Sequence, residues 1–145
     1  MKRTQALTRP DLGHLRFWQW RCWRVRYTYI MPTDPVAQQQ TPMVLVHGFG
    51  ANLEQWRSNL SHWGQQRPVY ALDLLGFGHS QKPAVLLSAQ LWQQQVYDFW
   101  QAIIGQSVIL VGHSLGALVS LTTAARHPQM VSRLILLTLP LARQE

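Results

Sequence analysis

Residues 108–121 read VILVGHSLGALVSL, and an apolar run changes its period inside them. Val108, Ile109, Leu110 and Val111 form a short continuous run of the kind that makes a buried strand. Beyond them Leu115, Leu118, Val119 and Thr122 recur at helical spacing, with small Ala117, Ala124 and Ala125 filling the gaps. The switch falls inside Gly112-His113-Ser114-Leu115-Gly116, so the chain leaves a strand, turns sharply and enters a helix. Ser114 occupies the corner, where a polar side chain is lifted out of the core and stands alone.

The same alternation extends in both directions. Upstream, Met43–Val46 reads as a buried strand ending in His47-Gly48-Phe49-Gly50. Asn52 then caps a helix, with Gln55 at its third position as a loose capping box and Trp56, Leu60 and Trp63 on one face. Val69–Leu72 is the next strand, followed by the loop DLLGFGHSQKP. Ser88 opens an amphipathic helix on which Trp92, Val96, Phe99 and Ile103 share a face and the glutamines point outward. Downstream, His127-Pro128 closes the helix that follows Ser114, because a residue before proline avoids the helical region. A last strand covers 134–137, and MPTDPVAQQQTP at 31–42 reads as a loop. Continuous apolar strands separated by helices predict an α/β fold, a mostly parallel sheet with helices on both faces. No repeat or boundary divides residues 1–145, which are expected to form a single domain.

Composition narrows the class of protein. At 47% hydrophobic and 13% charged the chain is globular in character. A single cysteine, Cys22, excludes a disulfide framework and a cysteine zinc site. The start MKRTQALTRPDLGHL lacks the apolar centre of a signal peptide, and no apolar run reaches membrane-spanning length. The expected location is therefore cytoplasmic. The net charge of +7 is uneven, with Lys2, Arg3, Arg9, Arg16, Arg21, Arg24 and Arg26 opposed only by Asp11. Aromatic residues interleave with these cations in RFWQWRCWRVRYTYI, residues 16–30. No nucleic-acid motif accompanies the charge, so no nucleic-acid partner is expected. Two outer strands account for the pattern, since aromatic and β-branched residues favour strands and arginine stems cover apolar surface. Weak peripheral membrane contact through this Arg/Trp segment stays open, as does the oligomeric state.

Three loops leave the carboxyl ends of the strands, where such sheets bind ligands: HGFG, DLLGFGHS and GHSLG. Gly48-Phe49-Gly50 and Gly76-Phe77-Gly78 both lack the third glycine of a dinucleotide fingerprint, and no GxxxxGK[ST] exists. A nucleophile explains more. Around Gly112-x-Ser114-x-Gly116 the missing Cβ atoms let strand and helix approach, and the helix start directs free N–H groups at whatever Ser114 attacks. The Leu115 N–H is one oxyanion donor and the Phe49 N–H in HGFG is the candidate second. Gly48, Gly50 and His47 shape that second loop. No metal site and no cofactor is implied, because HExxH, paired cysteines and complete glycine-rich motifs are absent.

VLVHGFGANLEQW, VYALDLLGFGHSQKP and VILVGHSLGALVSLTTAARHP resemble the N-terminal half of an α/β-hydrolase, over residues 17–140. The resemblance implies a serine nucleophile at Ser114, an oxyanion hole from Phe49 and Leu115, and a small apolar ester or related acyl substrate. The loop ALDLLGFGHS is similar to the branch with epoxide hydrolases, haloalkane dehalogenases, C–C bond hydrolases and perhydrolase-like esterases, of which the first two use aspartate where this chain has Ser114, and to pheophytinase-type members. The family order is serine, then acid, then histidine, yet after Ser114 come only His127 and the terminal Glu145. The triad acid and base are therefore unknown. His47, His79, His113 and Asp73 are weak stand-ins, and His14 and His62 are uninformative. The resemblance thus implies a sheet truncated after about its sixth strand, and a hydrolase with little activity as this chain. The alternatives are a non-catalytic fragment that binds an apolar ligand, or a subunit completed by a second chain supplying the acid and histidine.

Overall fold

The computed structural model describes residues 11–140. Lys2, Arg3, Arg9 and Glu145 lie outside the described residues. Six strands form one sheet: β1 (His14–Trp20), β2 (Trp23–Ile30), β3 (Met43–Val46), β4 (Val69–Leu72), β5 (Val108–His113) and β6 (Val131–Leu137). Their order is β1-β2-β4-β3-β5-β6. β3 pairs in parallel with both β4 and β5, and β5 with β6, while the β1–β2 hairpin joins β4 antiparallel. The mostly parallel sheet is as expected, and RFWQWRCWRVRYTYI supplies its outer hairpin.

Alternate residues of each central strand feed opposite faces, as the period of two requires. Val44, Val46, Leu110 and Leu72 point to one side, against Trp92, Val96 and Phe99 of α3 (Ala89–Phe99) and Val119 of α4 (Leu115–Arg126). Met43, Leu45, Ala71, Ile109 and Val111 point to the other, against Leu53, Trp56 and Leu60. Those last three lie on a 3₁₀ turn, Leu53–Trp56, that runs into helix α2 (Arg57–Trp63). Helices cover both faces.

Four local expectations change. The stretch at 31–42 is not all loop: Asp34 accepts from the Ala37 N–H and starts a short helix α1, Pro35–Gln38. Gln55 closes no capping box, since Asn52 bonds the Glu54 N–H and the Gln55 amide goes elsewhere. Nor do all the glutamines of α3 face water, for Gln93 and Gln95 are buried. Gln95 accepts from the Leu75 N–H at 2.9 Å and donates to the Asp73 carbonyl at 3.1 Å, tying α3 to the loop after β4. Finally, β6 begins at Val131, three residues earlier than the apolar run at 134–137 suggests. Ser132 and Arg133 are exposed on this edge strand, which is why hydropathy misses its start.

Candidate active site

β3, β4 and β5 run parallel, so the loops at their carboxyl ends meet on one edge. Ser114 stands there between β5 and α4 with φ 54° and ψ −116°, a conformation that costs a non-glycine residue of order 1–3 kcal/mol. The surroundings hold it. Its N–H donates to the Leu137 carbonyl of β6 at 2.9 Å, and its carbonyl accepts from the Ala117 and Leu118 amides at 2.9 and 3.2 Å. The side chain is half-exposed, and its hydroxyl has no hydrogen-bond partner among the described residues.

The flanking glycines are required by space. A Cβ on Gly112 would stand 2.6 Å from Ser120 Oγ and overlap the Gly116 carbonyl, and one on Gly116 would overlap the Val46 carbonyl. On the facing loop, a Cβ on Gly48 would lie 2.9 Å from His113 Nδ1 and 3.4 Å from Ser114 Cβ. HGFG is therefore packed directly on the serine corner. Gly50 is different: nothing crowds it, but its φ of +71° suits glycine. The amides of Phe49 and Leu115 have no partner among the described residues, and Leu115 is the first residue of its helix. The Phe49 side chain is 76% exposed, its ring 5.4 Å from that of Phe77.

His47 is wholly buried and bridges two loops. Its Nε2 accepts from the Leu74 N–H at 2.9 Å, which places the proton on Nδ1, and Nδ1–H donates to the Gly48 carbonyl at 2.8 Å. Burial lowers its pKa below the usual imidazole value, outweighing the Gly48 carbonyl and Asp73, which act the other way. Asp73 is also buried and accepts from Arg26 Nε at 2.7 Å, the Leu53 N–H at 2.7 Å and the His79 N–H at 2.8 Å. It anchors the loop after β4 to the loop after β3 and to β2. The His79 ring stands exposed at the surface.

Gln55 is the residue that sequence reading gives the wrong job. Its Oε1 accepts the Gly48 N–H at 3.0 Å, and its Nε2 lies 2.7 Å from His113 Nδ1. Because an amide nitrogen only donates, Nδ1 of His113 accepts and the ring proton sits on Nε2. One side chain thus joins HGFG to GHSLG. His127 is elsewhere: it follows α4, roughly 18 Å from Ser114 along the helix axis, and stacks on Tyr97 at 3.6 Å. Burial, with Arg126 adding to it, lowers its pKa. Among the described residues no group of three or more His, Cys, Asp or Glu side chains could hold a metal ion.

The family's sequence model, described as alpha/beta hydrolase fold, matches residues 41–143. The chain belongs to the alpha/beta hydrolase fold family. It is 40% identical over 99 residues to the 1-acylglycerol-3-phosphate O-acyltransferase ABHD5 of Sus scrofa, covering 66% of this chain and 28% of that protein. To the (Lyso)-N-acylphosphatidylethanolamine lipase of Homo sapiens it is 32% identical over 112 residues, 74% of this chain and 33% of that one. A solved membrane phospholipase A, titled a novel bacterial virulence factor, superposes with a TM-score of 0.78 at 29% identity, over 86% of this chain and 39% of the other. The thioesterase domain from the curacin biosynthetic pathway gives 0.80 at 24% identity, over 91% and 48%, a likeness of fold alone. The chain thus spans about a third or less of these curated relatives and under half of these structures. No helix of the described residues is long and apolar enough to cross a membrane.

Proposed function

We propose that this chain carries the nucleophile and oxyanion half of a serine hydrolase acting on the acyl ester of a lipid. The observation that carries the reading is Ser114, held at φ 54° on a strand-to-helix corner against the HGFG loop, with the Leu115 and Phe49 amides lacking partners among the described residues. In this reading the Ser114 oxygen attacks the ester carbonyl carbon and its proton leaves to a base. The negative charge that develops on the carbonyl oxygen is met by the two backbone N–H groups. Collapse expels the alcohol and leaves an acyl-serine, which water then hydrolyses. The base and its acid partner are unassigned, since the Ser114 hydroxyl bonds to no imidazole or carboxylate among the described residues. A lipid substrate is supported by the relatives named for acyl transfer on glycerol phosphate and for lipase and phospholipase activity. The Arg/Trp hairpin fits peripheral contact with membrane lipid.

In a chain joined to an acid and a histidine, a fluorophosphonate probe is expected to label Ser114 and no other serine. In that chain Ser114→Ala is expected to abolish labelling and ester hydrolysis, with circular dichroism unchanged. Labelling or turnover that survives the substitution would assign the nucleophile elsewhere. The bare Ser114 hydroxyl equally favours a subunit completed by a second chain. Mixing with a relative's remaining segment would then raise the labelling rate.

A further inference from the structure

We propose that the rim formed by the β1–β2 turn and the loop before α3 docks on an anionic phospholipid surface, a step that rests on the lipid-ester reading only for its purpose. Tyr27 lies opposite Leu72, so Trp23–Arg26 run past the carboxyl end of β4 on the edge that holds Ser114. Gln81 fastens the loop to the hairpin, its N–H donating to the Arg24 carbonyl at 2.8 Å and its Oε1 accepting the Arg24 N–H at 3.1 Å. Between the two elements lies a groove of about 380 Å³ lined by Arg21, Trp23, Val85, Leu86 and Leu91 among others. Leu86 is 89% exposed and Val85 44% exposed, adjacent apolar side chains that line this groove.

Charge selects the occupant. No Asp or Glu occurs at 12–33 or 74–97, and Asp98 at the margin is engaged by Trp20 Nε1 and Gln94 Nε2, each at 2.8 Å, whereas Arg16, Arg21, Arg24 and Lys82 are exposed. Arg21 rests 4.7 Å over the Trp20 ring and Arg24 4.5 Å over Phe17, and neither has a carboxylate partner among the described residues. Apolar tips ringed by cations and tryptophans match an interface of acyl chains under phosphates. A second copy of the chain answers poorly, because its exposed acids are scattered: Asp34 caps α1 and Glu54 pairs with Arg57.

The test is co-sedimentation of the full chain as Ser114→Ala, so that hydrolysis plays no part, with phosphatidylcholine vesicles that lack or contain about one-fifth phosphatidylserine. Binding is expected to the mixed vesicles, at least tenfold weaker to phosphatidylcholine alone, and to fall as salt rises. Arg21→Glu and Leu86→Asp should each weaken it by about fivefold or more. Val36→Asp, an exposed site on α1 at the opposite edge, should leave it unchanged. Equal binding to both vesicles, no binding, or rim variants that bind like the parent would overturn the proposal. So would loss of self-association in vesicle-free Leu86→Asp, which would give the rim to a second copy. None of these results bears on whether Ser114 is labelled.

Discussion

Ser114 holds its strained corner through backbone bonds, and the side chains around it decide how well the facing loop is aimed. Gly48→Val pushes atoms against His113 Nδ1 and Ser114 Cβ, already 2.9 and 3.4 Å from a first added carbon. If Phe49 is an oxyanion donor, fluorophosphonate labelling should slow by the loss of one such donor, about a hundredfold or more. An unchanged labelling rate would put the second donor elsewhere. Gln55→Leu tests the link between the two loops. It leaves the Gly48 N–H unpaired and frees His113 Nδ1, so stability should fall by about 1 kcal/mol and labelling should slow severalfold. The His113 ring nitrogens should also change their NMR shifts, which a merely structural role would not require. Ser114 is legible in the sequence because its signal is local, a change of period inside a few residues. Gln55 is not, because its partners lie 7 and 58 residues away and its neighbours suggest a cap.

The elements follow hydropathy wherever both faces of a strand are covered, and depart from it at the rims. Met43–Val46 and Val69–Leu72 need no correction, since burial on two sides leaves a continuous apolar run. Gln95 breaks the helical pattern of α3 because the loop after β4 needs a buried donor and acceptor for its own backbone. That demand is tertiary and leaves no trace in periodicity. β6 has the opposite problem. It ends the sheet with one side unpaired, and Ile135 and Leu137 are each 42% exposed. An apolar edge recruits other chains unless something blunts it, and here Arg133 and Pro140 stand near its two ends. The 145-residue chain is therefore expected to associate in light scattering. Ile135→Lys, which adds charge mid-strand at an already exposed position, should shift it toward monomer. A monodisperse parent protein would refute the edge argument.

Across the whole molecule, one buried imidazole couples the serine corner to the stability of the sheet. His47 lies between the loops after β3 and β4 and uses both nitrogens while neutral. Protonating it removes the acceptor of the Leu74 N–H and puts a charge where burial already lowers the pKa. Arg26 opposes that charge, while Asp73 and the Gly48 carbonyl favour it without cancelling the burial effect. The unfolded chain has no such penalty, and its histidine titrates near about 6.5. Below that value the unfolded state therefore binds more protons than the folded one, and stability rises with pH through the interval. The contribution is complete above the unfolded pKa and is lost as pH falls toward the depressed folded value. His127, lowered chiefly by burial, works in the same direction. The urea midpoint should thus be flat from pH 8 to about 7 and decline between about 6.5 and 5. His127→Phe keeps a ring against Tyr97 and removes one titrating group, so its decline should be shallower while the value at pH 7.5 stays close to the parent's. A midpoint that rose on acidification over this range would mean that His47 is charged in the folded protein. The Leu74 N–H would then have no acceptor on Nε2, and the bridge between the two loops would have to be drawn differently.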